Sequence, residues 1–185
     1  MSDRFRRLET RIDGLVLVEP RVIADDRGFF FETFRSNEYA ELGIDVPFVQ
    51  DNHSRSVRGT VRALHFQLEP GQAKLVRAAR GSIWDVAVDL RRGSPTYGRY
   101  EAFELSDENA RQIFVPVGFA HGFCVTSETA DVAYKVSSYY DGATERGIAF
   151  DDPAIGIPWP VAEPLVSDRD RSNRTLEEIA PELPW

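Results

Sequence analysis

Short runs rich in Val, Ile, Phe and Tyr recur along this chain, each closed off by turn residues, and this punctuation constrains the fold more than any other feature. The runs are Leu15–Glu19, Phe29–Phe34, Phe48–Asn52, Lys74–Ala78, Ile83–Leu90, Gly98–Leu105, Phe123–Thr126, Val132–Ser138 and Gly147–Phe150. Between them lie breakers such as Asp25-Asp26-Arg27-Gly28, Glu69-Pro70-Gly71, Arg92-Gly93-Ser94-Pro95 and Tyr140-Asp141-Gly142. No long stretch shows the helical repeat of about 3.6 residues. The pattern predicts an all-β sandwich or barrel. Two short peripheral helices fit as well. One is Asn37–Leu42, capped by Ser36 and stopped by Gly43; the other is Thr175–Ile179.

The chain has 185 residues, enough for one domain with a real core. From about Pro153 it turns rich in Pro and charge, which predicts a tail wrapped over the barrel rather than a second domain. The formal net charge of −8 argues against a nucleic-acid partner, because phosphate backbones need a positive field. A local basic pocket for a small anion is compatible with it. The lone cysteine, Cys124, can form no disulfide within the chain and suits a reducing compartment. The apolar run Leu15–Val18 is too short for a membrane span or a signal-peptide core, so a cytoplasmic protein without membrane contact is expected.

Within Ile83–Leu90, Trp84, Val86, Val88 and Leu90 share one face, and Asp85, Ala87 and Asp89 share the other. Two acids on an apolar strand need a reason. Either they bind backbone amides or an arginine, or they look into a polar barrel interior. Of the three histidines, His65 lies in a strand-like segment, and His121 lies in Pro116-Val117-Gly118-Phe119-Ala120-His121. His53 suits a structural or supporting role.

The spacing P-x-G-x-x-H resembles the second motif of the cupins, which places a histidine inside a jelly-roll barrel, commonly on a metal. The first cupin motif supplies H-x-H. Here that place reads His65-Phe66-Gln67, so the ligand set is depleted for a metal that wants three protein ligands. An interior histidine without a metal points to acid–base chemistry.

A longer resemblance is carried by many ordered segments. They include Asp26–Glu32, Gln50–Ser54, Arg62–Gln67, Lys74–Arg77, Asp85–Arg91, Ser94–Gly98, Pro116–Phe123, Tyr134-Lys135, Asp151–Pro153, Trp159-Pro160 and Ser167–Asp170. Together they make the chain similar to the dTDP-4-dehydrorhamnose 3,5-epimerases, metal-free cupins of deoxysugar biosynthesis. The resemblance implies a cupin-type antiparallel jelly roll, a dTDP-sugar substrate, no cofactor, and a homodimer in which nucleotide contacts cross between subunits. It implies His65 as the base, Asp170 as its partner, Tyr134 as the opposing acid, and Lys74 near the developing enolate oxygen. It implies substrate contacts at Arg27, Glu32, Gln50, Asp51, Asn52, Arg62, Lys74, His121, Glu145 and Arg169. The residues alone leave Asp85 as a competing partner for His65.

Two departures stand out. The family usually has Gly where this chain has Ala63, and Lys where it has Arg169. Neither removes a reacting group, but both bear on whether one or two carbons are inverted. Three other readings compete: a single-site 3- or 5-epimerase, a metal-dependent cupin enzyme, and a non-catalytic sugar-binding module.

Overall fold

Alternation within each run decides which side chains meet across the barrel. The computed structural model describes residues 3–185. Its strands are β1 Phe5–Leu8, β2 Val16–Pro20, β3 Ile23–Asp25, β4 Gly28–Phe30, β5 Gln50–Val57, β6 Val61–Gln67 and β7 Lys74–Arg80. They continue with β8 Ser82–Asp89, β9 Tyr100–Ser106, β10 Gln112–Val115, β11 Phe119–Val125, β12 Thr129–Val136 and β13 Glu145–Gly147. Three short helices, α1 Ser36–Glu41, α2 Asp168–Arg171 and α3 Leu176–Ile179, lie outside the sheets. One antiparallel sheet runs β1-β2-β10-β7-β12-β5; a second runs β13-β6-β11-β8-β9; β3 and β4 form a separate hairpin. Strands distant in sequence alternate as neighbours, the topology of a cupin-type jelly roll.

Leu17, Val76, Ile113 and Val132 of the first sheet pack against Ile83, Ala87, Phe103 and Phe119 of the second, forming the inner core. The outer face of the second sheet is apolar too. Val61, Leu64, Phe66, Val86 and Val88 there are covered by Ile155, Leu176, Ile179 and Leu183 of the segment after Pro153. That segment is pinned by specific bonds. Asp152 Oδ2 accepts the Leu176 N–H at 2.6 Å, and Thr175 and Glu178 form a reciprocal cap at the start of α3. The outer face of the first sheet is covered by α1, with Tyr39 fully buried against Val16, Val18 and Leu75.

Some boundaries differ from the expected ones. Ser36 does not cap α1; it is the first helical residue, and Arg35 takes the cap position without a side-chain bond. Gly43 does stop the helix, at φ +95°. The run Phe29–Phe34 pairs only as far as Phe30, and the run at 147–150 is a strand only over Glu145–Gly147. Aromatic content marked these segments as strands, but Phe34 is drawn instead into edge contacts with Tyr39 and Phe48. No helix among the described residues is long and apolar enough to cross a membrane.

Candidate active site

Parity places the chemistry. Asp85 lies between Ile83 and Ala87 on β8, His121 between Phe119 and Phe123 on β11, and Tyr134 follows Val132 on β12; these flanking residues belong to the inner core. Their polar side chains therefore turn inward as well. At one end of the barrel Tyr134 meets Lys74, at the start of β7, and Gln50 and Asn52, at the start of β5, and Asp85 lies near enough for its charge to act on Lys74.

β6 needs an irregularity to join them. In a regular strand Arg62 and His65, three residues apart, would face opposite ways. β6 instead pairs His65 with His121 but Arg62 with Phe123, so three steps on β6 match two on β11, a β-bulge. The Ala63–Leu64 peptide inside it is cis. Val61 and Ala63 on one side of that peptide, and Leu64 and Phe66 on the other, all pack outward. Arg62 and His65 are left on the inner side, and Arg62 reaches the other sheet, donating from Nε to Ser56 Oγ at 3.1 Å. The bulge also answers the first departure. Ala63 does not need the left-handed backbone that favours glycine; the glycine is required opposite, because a Cβ on Gly122 would lie 2.5 Å from Ala63 Cβ and 2.8 Å from the Arg62 carbonyl oxygen.

His65 Nε2 lies 2.7 Å from Asp170 Oδ1. Asp170 arrives on α2, whose cap Ser167 accepts the Asp170 N–H. Burial opposes ionisation of Asp170. The hydrogen bond and charge of His65, the Ala63 amide and the Arg169 charge outweigh it and hold the carboxyl below its ordinary pKa. An ionised carboxylate only accepts, so Nε2 carries the proton and Nδ1 keeps the lone pair. Tyr134 stands on the opposing sheet and lines the same cavity, about 290 Å³, with His65, Lys74, Asn52 and Glu145. Burial raises the Tyr134 pKa, against the Arg62 charge and with that of Glu145, so the phenol is protonated at neutral pH. Lys74 Nζ donates to the His65 carbonyl at 3.2 Å. Burial lowers its pKa to about 8, opposed by the charges of Glu145 and Asp85.

Asp85 is not the partner of His65. Its Oδ2 lies 2.8 Å from His121 Nε2, in a second, more deeply buried pair whose Oδ1 has no hydrogen-bond partner. Burial raises the Asp85 pKa, opposed by His121 and Lys74. Asp89 follows the other reading of that acidic face. Burial opposes its ionisation, yet bonds from Arg91, Ser94 and Thr96 hold its pKa at about 2. His53 projects from the outer face of β5, 3.7 Å from Asp131. Among the described residues, no three His, Cys, Asp or Glu side chains gather as metal ligands.

At the cavity mouth Arg169 pairs with Glu145, which also accepts the Tyr140 hydroxyl at 2.9 Å. Three expected contacts stand apart. Arg27 sits on the exposed β3–β4 hairpin and pairs with Asp25. Glu32 pairs with Arg4 and Arg35. Asp51 points to the outer face of β5 and takes Lys135 Nζ at 2.9 Å. Sequence reasoning missed Gln67, Gln72 and Tyr140 as cavity residues. Gln67 could have been found by parity, two residues after His65 on the same strand.

The profile of the dTDP-4-dehydrorhamnose 3,5-epimerases matches residues 9–178. The chain belongs to the dTDP-4-dehydrorhamnose 3,5-epimerase family. Within it, the enzyme of that name from Methanothermobacter thermautotrophicus is 50% identical over 177 residues, covering 94% of this chain and 96% of the relative. The dTDP-6-deoxy-D-glucose-3,5-epimerase of Legionella pneumophila, crystallised with dTDP-4-keto-L-rhamnose, superposes with a TM-score of 0.93 at 45% identity, covering 97% and 96% of the two chains. A 4-keto-6-deoxy sugar epimerase from the novobiocin cluster of Streptomyces spheroides also reaches 0.93, at 40% identity and coverages of 98% and 92%. These epimerases share the fold over nearly their whole length, so the family resemblance extends to the elements that carry His65, Tyr134 and Asp170.

Proposed function

We propose that this chain epimerises dTDP-4-keto-6-deoxy-D-glucose at C3 and C5 to dTDP-4-keto-L-rhamnose, without a cofactor. The observation that carries the reading is the placement of His65 and Tyr134 on opposing sheets of one cavity. A sugar ring held between them presents one face to the imidazole and the other to the phenol, the arrangement that inversion at carbon demands. Both carbons flank the C4 ketone, so each C–H bond yields its electron pair to an enolate. His65 Nδ1 takes the proton, while Asp170 holds Nε2–H and balances the imidazolium. The Lys74 ammonium stabilises charge on the developing enolate oxygen more than on the ketone. Tyr134 returns a proton to the opposite face, and exchange with water restores both groups before the second carbon reacts.

Gln50, Asn52, Arg62, His121, Glu145 and Arg169 would hold the substrate, with the guanidinium forks suited to the diphosphate. The working unit would be a homodimer, and residues 1–185 one cupin domain whose segment from about 153 wraps the barrel. Phe29 and Phe30 on the hairpin are 63% and 67% exposed beside Arg27, which suits a segment that reaches a second copy's site. Arg27, Glu32 and Asp51 would act there. Turnover in D₂O followed by proton NMR tests the reaction. Deuterium entering both C3 and C5 supports it. Deuterium at one carbon would assign a single-site epimerase instead. Activity lost to a chelator and restored by a metal ion would overturn the mechanism.

A further inference from the structure

The chain just after Tyr134 leaves the sheet, and its backbone is held by side chains. Gln72 Nε2 donates to the Ser138 carbonyl at 2.9 Å. Gln67 Oε1 accepts the Asp141 N–H at 2.9 Å, and its Nε2 makes longer contacts of 3.4 Å to the Tyr139 carbonyl and 3.5 Å to Ser138 Oγ. Gln50 Oε1 accepts the Tyr140 N–H at 3.1 Å. Three amides from three different parts of the barrel thus secure four consecutive residues. Tyr140 stands at the centre of this stretch and donates its hydroxyl to Glu145, the acid paired with Arg169. Gln67 is 4% exposed, so losing its amide leaves the Asp141 N–H to find another acceptor.

We propose that Gln67 and Gln72 are positioning residues. They clamp residues 138–141 so that Tyr140 and Glu145 shape the cavity mouth, and the clamp sets how tightly the nucleotide sugar is held. The inference rests on the function proposed above. The backbones that carry the proton-transfer groups are held independently of the clamp. The backbone of His65 is fixed by the ladders of β6 with β11 and β13, and that of Tyr134 by the ladders of β12 with β5 and β7. Gln50 belongs to the same clamp, because its Oε1 is engaged by Tyr140 and its Nε2 by Asn52 Oδ1.

The test uses Gln67→Leu, Gln72→Leu, Tyr140→Ala and the Gln67→Leu/Tyr140→Ala pair. It measures kcat and KM on dTDP-4-keto-6-deoxy-D-glucose, dTDP affinity by calorimetry, and hydrogen exchange at residues 138–141. Each glutamine variant should raise KM and the dTDP Kd about tenfold, the scale of one well-buried hydrogen bond. It should leave kcat within about threefold of wild type, and speed exchange at 138–141. The Gln67→Leu effect should vanish when Tyr140 is already Ala. Wild-type KM and dTDP Kd in both glutamine variants would overturn the proposal, as would effects that simply add in the pair. Gln72 is only half buried, so Gln72→Leu decides the matter if Gln67→Leu does not fold. Should wild type turn over no 4-keto sugar nucleotide, the proposed function fails, and the dTDP titrations with hydrogen exchange still judge the clamp.

Discussion

His65 and His121 are paired across neighbouring strands, each with a carboxylate against Nε2, and exposure separates them: 25% of the His65 side chain is accessible against 8% of His121. The accessible imidazole is the one a substrate carbon can reach. Replacing His65 by Ala should lower turnover by roughly a hundred- to ten-thousandfold, measured as deuterium incorporation at C3 and C5, and should cost about 1–3 kcal/mol of stability, because the buried Asp170 carboxylate loses its partner. Lys74 gives a pH signature. Its pKa of about 8 means the ammonium is present below that pH and lost above it. The specificity constant should therefore fall as pH rises through about 8, and Lys74→Gln should be slower and lack that alkaline limb. A kcat/KM profile for both proteins checks this, because that ratio follows ionisations of the ligand-free enzyme. Asp170 adds no limb near neutrality, because a lowered pKa keeps it ionised well into acid. The inward aim of Tyr134 and His121 is legible from their apolar neighbours two residues away. The partnership of Asp170 with His65 spans 105 residues and is not; only family resemblance could supply it.

At the scale of single elements, the bulge in β6 decides the site, and no alternation pattern announces it. The residues 61–67 read as a regular strand, which would have split Arg62 from His65. What is legible is its complement: Gly122, the small residue opposite. Gly122→Ala should destabilise the fold by about 1–3 kcal/mol, because the new methyl meets Ala63 and the Arg62 carbonyl with nowhere to go. Thermal or denaturant unfolding measures the loss, and adding Ala63→Gly to the same chain should return part of it. The helices follow the same lesson. Thr175 with Glu178 forms the capping box its spacing allows. Ser36 has the right chemistry for a cap, yet the extended Arg35 takes that position and Ser36 is the first residue of α1.

For the whole molecule, the two-sheet barrel is visible in the punctuated runs of the sequence, whereas the distance of Arg27, Glu32 and Asp51 from the cavity is not. A crossing of those residues between subunits makes a sharp expectation. Arg27→Ala and His65→Ala proteins should each be poorly active, and mixed, refolded chains should regain part of the activity, because one site of the mixed dimer has both residues intact. Assay of the mixture against each parent decides it. The proposed homodimer predicts that Phe29→Asp shifts the protein toward monomer in sedimentation. The position of Asp170 on the segment that covers the second sheet carries a temporal consequence. A nascent chain translated only as far as Trp159 includes every strand described above, yet its imidazole lacks the carboxylate that orients it. Competence therefore arrives with the same stretch that shields Leu64 and Phe66 from water, so a half-made molecule would be sticky and inert at once.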